Sequence, residues 1–346
     1  MSVFSGIAIS AAERSLLSDS MIRSGIRKLC RQRIEEFPDS LQRDEWIAHT
    51  VEAMRESRIA EVPELANEQH YEVPSAFFHA SLGTHLKYSC CLWEDGDDLE
   101  AAERRSLGAT CEHADLRDGQ NILELGCGWG SLSLWMAEHY PEAQITSVSN
   151  SHSQKEYIDS QARNRNLHNL TIVTMDVNEF ETEQHFDRVV SVEMFEHVRN
   201  WDAILKRVRG WLHDDGKALI HVFCHRDTPY FFEARNANDW MASEFFSGGL
   251  MPSADLMNYF NTDMSVSQRW TWNGSHYART AEAWLDTLDE NREVCLASLQ
   301  GHTAIAASRA LQRWRIFYMA CAELFGMNNG DEWMVCHYLL EPTPQK

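Results

Sequence analysis

The sequence is short of positive charge: 31 Lys and Arg stand against 52 Asp and Glu, a formal net charge of −21. That balance repels nucleic-acid phosphates and anionic headgroups, so neither a nucleic-acid partner nor stable membrane association is expected. It suits encounter with a cationic small molecule instead. No uninterrupted apolar run approaches the ~18 residues of a membrane span. No basic stretch precedes the apolar patch in MSVFSGIAISAAERSLL, so no secretory signal is expected. The 9 cysteines include no CxxC spacing, and only Cys90 and Cys91 are adjacent. This argues against a disulfide framework or a zinc ribbon, and for reduced thiols in a cytoplasmic protein. Internal repeats and low-complexity tracts are lacking too. What is present is globular composition, 44% apolar and 24% charged over 346 residues, enough for one large domain or two smaller ones.

Residues 1–70 read as helical, with Trp46, Ile47, Val51 and Met54 near one face of the segment from Asp44 to Arg58. Pro63 and Pro74 bracket a break, and the aromatic stretch at 70–93 is too irregular for a linker. Residues 95–118 return to a helical, acid-rich pattern. From 120 the pattern alternates. Strands are predicted at Asn121–Leu125, Ile145–Ser149, Leu170–Met175, Phe186–Val192 and Lys217–Cys224. Helical segments separate them, and Asp214-Asp215-Gly216 reads as a turn. Such alternation predicts a parallel, doubly wound α/β sheet. Beyond 225, Asp227–Asp263 suits a lid, Ser265–Trp272 alternates weakly, and Ala281–Leu299 and Arg309–Phe325 are helical. Trp333–Leu340 reads as a closing strand.

The strongest local signal is Glu124-Leu125-Gly126-Cys127-Gly128-Trp129-Gly130, directly after a strand and before a helix. Glycines there permit a sharp turn and close approach of a ligand. The dinucleotide fingerprint GxGxxG would need its third glycine at Ser131, so that reading fails. GxGxG with a leading acid is the pattern of methyltransferases that bind S-adenosylmethionine; a tight structural turn is the plain alternative. Ribose contacts are expected from the end of the second strand, where Ser149 and Asn150 stand in place of the usual acid, with Gln154 one turn on. After the third strand, Asp176 can accept from an adenine amino group and Val177 can cover the ring, although Asp176 also suits a cap or turn.

After the fourth strand comes Glu193-Met194-Phe195-Glu196-His197. Ligands of open α/β sheets lie at the carboxyl ends of the strands. If the segment is helical, Glu193 and Glu196 share a face at i, i+3, with His197 beside them. Two acids and an imidazole can hold a cationic amine and shift one another's proton affinities; a charged helix start is the alternative. His221 and Cys224-His225 lack the further ligands a metal site needs, so no metal is expected. Trp240, Phe245, Phe246 and Trp272 could line a hydrophobic pocket, but aromatics at this density are more often core.

Taken together the chain resembles the cyclopropane-fatty-acid synthase superfamily, and within it the coclaurine and pavine N-methyltransferase branch. The resemblance runs from about residue 65 to the C-terminus. It is carried by HYEVPSAFF (70–78), KYSCC (87–91), LELGCGWGSL (123–132), SNSHSQ (149–154), EMFEH (193–197), DWMASEFFSGGLMPS (239–253) and MNNGDEWMV (327–335). It implies a Rossmann-like class I S-adenosylmethionine-dependent methyltransferase core with an N-terminal helical extension and an inserted helical cap. The implied layout is an extension and cofactor-covering segment at 1–118, a cofactor-binding core at 119–226 and a substrate cap at 227–310. A helix and strand at 311–346 complete the core. Tyr88 and Ser89 would cover the cofactor, Gly126, Gly128 and Gly130 would lie at its methionine end, Ser149, Asn150 and Gln154 at the ribose, and Asp176 and Val177 at the adenine. Glu193, Glu196 and His197 would surround the substrate amine. Lipid-modifying relatives bind bicarbonate through residues that match Cys90, Glu196 and His221, whereas the alkaloid branch has an acid where this chain has His221.

The leading expectation is methyl transfer from S-adenosylmethionine to the nitrogen of a small amine, with Glu196 and Glu193 holding the incoming ammonium and one of them or His197 taking its proton. The alternative enzyme acts on an acyl-chain alkene, but −21 opposes docking on anionic lipid. A cofactor-binding protein without catalysis is a third reading, against which the intact ExxEH speaks. The oligomeric state, a homodimer included, and the identity of the amine stay open.

Overall fold

A computed structural model describes residues 2–60, 73–234 and 239–344. Pro63, residues 70–72 of the aromatic stretch and residues 235–238 of the expected lid lie outside the described residues. Five strands, β1 (Asn121–Leu125), β2 (Gln144–Ser149), β3 (Leu170–Thr174), β4 (Phe186–Val192) and β5 (Leu212–His225), run parallel in the order β3-β2-β1-β4-β5. Four of the five residues of β1, Ile122 to Leu125, are buried, as a parallel strand covered on both faces requires. The crossover helices are α6 (Ser131–His139), α7 (His152–Asn164) and α8 (Trp201–Trp211). α8 is amphipathic, with Trp201, Ile204, Leu205, Val208 and Trp211 as its buried stripe.

Past β5 the sheet continues in the opposite sense. β9 (Trp333–Pro342) pairs antiparallel with β5, and β8 (Met264–Trp272) pairs antiparallel with β9 and forms the edge. The weakly alternating segment at 265–272 therefore belongs to the main sheet, although it falls inside the stretch expected as a cap. That stretch also holds a small pair of strands, β6 (Tyr230–Phe231) and β7 (Leu250–Met251), and the short α9 (Trp240–Glu244). The turn expected at 214–216 lies inside β5. Its ladder with β4 skips from Phe186↔Leu212 to Arg188↔Lys217, so the polar Asp-Asp-Gly is bulged out between two paired stretches. The helix expected over 281–299 is two, α10 (Gly274–Glu290) and α11 (Arg292–Leu299), parted at Asn291.

Helices cover both sides of the sheet. On one, α3 (Arg43–Glu56) sets Ile47, Val51 and Met54 into the core shared with α8. Trp46 turns away from that face, 40% exposed, because its indole N–H reaches the carbonyl of Pro229 at 2.8 Å. On the other side, α5 (Leu99–His113) and α6 pack Leu107, Cys111, Leu132 and Met136 over Ile122, Val190 and Leu219. A helical layer of α1 (Ser2–Glu13), α2 (Asp19–Glu35), α4 (Ser75–Ser81), α10, α11 and α12 (Ala307–Phe325) shares a third core with Trp272 and Val335. Arginines fasten the N-terminal helices to it. Arg315 bridges Asp19 and Asp289, each at 2.7 Å, and Arg23 meets Glu282 at 2.6 Å.

Asn200 joins the N-terminal extension to the core. Its Oδ1 accepts from the Ala203 N–H at 2.9 Å and caps α8, while its amide donates to the carbonyls of Arg55 and Ser57 at 2.9 and 3.0 Å, at the end of α3. Asn200→Ala removes a cap and two bridges, and the expected loss of stability is about 1–2 kcal/mol. A lower urea midpoint at unchanged m-value would show it; an unmoved midpoint would mean that α3 and α8 are not joined there.

Candidate active site

The turn after β1 is built by glycine. Gly126, Gly128 and Gly130 have φ of 81°, 52° and 79°, a left-handed region that other residues enter only under strain. A Cβ on Gly126 would lie 2.8 Å from Cγ of Met194, and one on Gly130 would lie 2.6 Å from Cγ1 of Ile158. Nothing stands within 4 Å of the position a Gly128 Cβ would take. Two glycines are thus needed for packing, and the middle one leaves its approach open. The N–H groups of Gly126 and Cys127 both donate to the carbonyl of Val148 at 3.0 Å, fixing the turn against the end of β2. Beneath it the buried Glu124 accepts from the hydroxyls of Ser133 and Ser147, tying α6 to β2. Burial pushes its carboxyl up to about 7, against the pull of the two hydroxyls.

A cavity of about 160 Å³ opens beyond the carboxyl ends of β1 to β4. Gly126 and Gly128 form part of its wall, and Ser149, Asn150 and Gln154 line it after β2. Asp176 and Val177 line it after β3, and Tyr88 and Ser89 close it from the stretch between α4 and α5. Gly130 shapes the turn without reaching this wall. The hydroxyl of Ser149 donates to Oε1 of Gln154 at 2.6 Å, which leaves the amide nitrogen of Gln154 buried without a partner among the described residues. Asp176 accepts from the backbone and side-chain nitrogens of Asn178 through Oδ1, at 2.7 and 3.0 Å, so it both shapes its turn and faces the cavity. An open glycine bend, an unanswered amide donor and polar side chains at successive strand ends fit an adenosyl ligand with a sulfonium-bearing chain.

The acidic segment departs from the helix the spacing suggested. Glu193 has φ 48°, and only Phe195–His197 form a 3₁₀ turn. That bend separates the two acids. Glu193 and His197 line the cavity, whereas Glu196 is fully buried and its Oε1 accepts from the Phe223 N–H at 2.6 Å. Gly249 of the lid packs over it, where a Cβ would stand 2.9 Å from the Glu196 carbonyl oxygen. Burial, reinforced by the charge of Glu193, raises the Glu196 carboxyl well above the usual range. Burial also raises Glu193, opposed by Lys87, the Cys90 N–H and the Tyr277 hydroxyl. Loss of water pushes His197 down to about 4, so its imidazole is neutral at neutral pH.

Glu193 is the most heavily bonded of these groups. Oε1 accepts from the backbone N–H of Cys90 at 2.9 Å and stands 3.3 Å from Nε2 of His221; Oε2 accepts from the hydroxyl of Tyr277 at 2.6 Å. Buried Lys87 donates to the Ser89 hydroxyl and to the Cys90 carbonyl, both at 2.6 Å, and so braces the strip that supplies the Cys90 N–H. Cys90 and His221, which the resemblance would give to bicarbonate, are here directed at a carboxylate of the chain itself. Lys87 and Tyr277 escaped the sequence reading. Lys87 stands in the KYSCC motif, which is a usable signal, while nothing local marks Tyr277, 84 positions from its partner. Of the aromatics read as core, Phe245 is buried, whereas Phe246 stacks on His197 with centroids 5.8 Å apart.

Gly126→Ala forces a Cβ into Met194 at a left-handed φ, and about tenfold weaker binding of S-adenosylhomocysteine is expected by calorimetry. Glu124→Gln has a pH signature. Burial puts the folded carboxyl at about 7, above the 4.5 of a free glutamate, so wild type loses up to about 3 kcal/mol of stability as pH rises from 4.5 through 7. The amide cannot titrate, so the variant should gain on wild type across that window. Parallel stability curves for the two proteins would refute the assignment.

Comparison with known proteins agrees with this geometry. The family model described as mycolic acid cyclopropane synthetase matches residues 60–335. An (S)-coclaurine N-methyltransferase of Thalictrum flavum subsp. glaucum is 36% identical over 338 residues, covering 95% of this chain and 93% of the relative. A pavine N-methyltransferase of the same plant is 32% identical over 343 residues, covering 96% of each. A crystal structure of coclaurine N-methyltransferase bound to N-methylheliamine and SAH superposes with a TM-score of 0.92 at 34% identity, over 96% of this chain and 98% of that one. With the cavity, the glycine bend and the strand order in place, the chain belongs to the mycolic acid cyclopropane synthetase family and is an S-adenosylmethionine-dependent methyltransferase.

Proposed function

We propose that this enzyme methylates the nitrogen of a small amine, of the kind named in its plant relatives, and that Glu193 removes the amine's proton. The observation that carries the reading is the Glu193 carboxylate, bonded by Cys90, His221 and Tyr277 and facing the cavity beside the glycine bend. S-adenosylmethionine, held by Tyr88, Ser89, the glycine bend, Ser149, Asn150, Gln154, Asp176 and Val177, supplies a methyl group made electrophilic by its sulfonium.

An aliphatic amine with a proton affinity like that of lysine, near 10.4, arrives as an ammonium and has no lone pair to attack with. The anionic Glu193 attracts that cation in a site poor in water, where the attraction is strong. Burial has raised its own proton affinity, which brings the carboxylate closer to the amine and eases the transfer. Neutral His197 can accept a second N–H and fix the direction of the nitrogen lone pair. Glu196, raised further, stays protonated, so the two acids carry one negative charge between them. The donors that could hold a free anion beside an acyl-chain alkene are taken by Glu193.

The test is methyl-labelled S-adenosylmethionine with coclaurine, heliamine and an anionic phospholipid vesicle of unsaturated acyl chains as acceptors. Label in an N-methyl product is expected; label in the lipid alone would overturn the reading. Glu193→Gln should lower kcat by about 10²- to 10⁴-fold while S-adenosylhomocysteine affinity stays unchanged. Tyr277→Phe removes a donor that favours the ionised carboxylate, so the Glu193 proton affinity rises and the acid limb of kcat/KM moves to higher pH. An unshifted limb would remove Tyr277 from the site.

A further inference from the structure

The strip that closes the cavity beside His197 begins with a helix too short to place itself. α9 has 5 residues, Trp240–Glu244, and a helix of that length is marginal in water without tertiary contacts. Its anchors come from distant parts of the chain. Asp239, just before it, meets Arg33 of α2 at 3.3 Å. The indole N–H of Trp240 donates to Oε1 of Glu13, the last residue of α1, at 2.9 Å. At the other end Glu244 accepts from Arg313 of α12 at 2.6 Å.

Glu13 is 3% exposed, and a carboxylate at that depth must be answered by donors. Arg309 donates to Oε2 from Nε at 2.9 Å and from a second guanidinium nitrogen, while Nε of Arg313 donates to Oε1 at 2.8 Å. Burial by itself would raise the carboxyl. The bonds from Trp240, Arg309 and Arg313 outweigh it and hold Glu13 below the ordinary range, so it is anionic at neutral pH. Fastening α1 to α12 needs only the two arginines. Oε1 is nevertheless shared with Trp240, and Arg313 turns its other arm to Glu244. Glu13 and Arg313 thus hold both ends of α9 against α12.

The residues that follow α9 reach the site at once. Phe245 stacks on Phe317 of α12 with centroids 4.3 Å apart and planes 18° from parallel. Phe246 lies over His197 with planes 11° from parallel. Ser247 and Gly248 stand in the cavity wall, and the Gly248 carbonyl accepts from Nε of Arg199 at 2.7 Å. The strip is pinned at one end by Arg199 and at the other by the contacts of Glu13.

We infer that Glu13 is a positioning residue for methyl transfer: with Arg313 it latches α9, and so sets Phe246 over His197 and Ser247 and Gly248 into the cavity wall. The inference rests on the reading of this cavity as the place where the amine is methylated. Glu13 touches neither substrate nor cofactor, and acts only through the strip. With the latch weakened, a smaller fraction of molecules holds the closed wall, and apparent affinity for the amine falls by that fraction. Once bound, the amine restores the closed strip, so kcat is largely kept.

Three variants of the full chain test this. Glu13→Gln keeps the shape and removes the charge that the arginines answer. Trp240→Phe removes only the N–H that reaches Glu13 and leaves a ring against Phe245, where the centroids are 5.3 Å apart. Asp19→Asn is the control, since it weakens the bridge from α2 to Arg315 in the same helical layer without touching the strip. With S-adenosylhomocysteine bound, hydrogen exchange read by mass spectrometry should speed up about tenfold over 240–249 in the first two variants and stay unchanged over 121–149. In turnover with the amine that takes label, both should raise the amine KM about tenfold at nearly wild-type kcat. S-adenosylhomocysteine affinity should hold, and the double variant should be no worse than Glu13→Gln alone. Wild-type exchange over 240–249 in both variants overturns the latch, and faster exchange at an unchanged KM overturns its part in positioning. Equal effects from Asp19→Asn would mean general loosening of the helical layer and overturn the inference as well. If no amine takes label, the amine reading fails by itself, and the exchange measurement still decides whether Glu13 holds the strip.

Discussion

A carboxylate kept ionised away from water must be answered by donors, and the architecture around Glu193 is an answer to that requirement. Its oxygens draw on the strip after α4 through Cys90, on β5 through His221 and on α10 through Tyr277. These parts of the chain meet only because β4 and β5 are adjacent and α10 packs over the end of the sheet. The backbone contributes as well. A left-handed φ of 48° at a glutamate is a strain that surrounding structure must hold, and the Glu193 N–H is held by the carbonyl of His221 at 2.9 Å. Strain, donors and a buried lysine together fix the Glu193 carboxyl in the wall of the cavity that the glycine bend also lines.

Three glutamates at or beside the cavity differ in environment and therefore in use. Glu124 sits under the glycine bend with two hydroxyls as partners and serves the turn. Glu196 is sealed beneath Gly249 and the Phe223 N–H, where ionisation is disfavoured. Glu193 faces the cavity with donors drawn from three separate parts of the chain. The same residue type is thus a strut, a sealed neighbour and a cavity-facing acid, set by burial and partners more than by spacing.

The glycine bend was legible because it is local: strand, three glycines and helix follow one another without a break from Asn121 to His139, and each needs only its neighbours to be recognised. The residues after β2 and β3 were legible for a related reason, since a parallel sheet puts every strand's carboxyl end on one side. The pairing of Glu193 with Glu196 misled, because a helical face assumes regular φ, and Glu193 abandons it. Tyr277 and the partners of His221 were hidden because they are long-range contacts with no periodic signature. β8 was read only as weak alternation, since an edge strand with Gln268 and Arg269 turned to solvent hides its apolar half.

The antiparallel insertion of β9 between β5 and β8 has a consequence for how the molecule comes into being. β9 is synthesised after both of its neighbours, so a nascent chain that has emerged through α12 presents two unsatisfied strand edges with a gap between them. The nucleotide-facing half, β1 to β4, can assemble from sequential crossovers while translation continues. The β5–β8 half cannot close until the final ten-residue strand slots in, which makes completion of this end a late, non-local event with a high loop-closure demand. Those edges stay open to pairing with other chains in the interval, an exposure that a purely sequential α/β sheet of the same size does not carry.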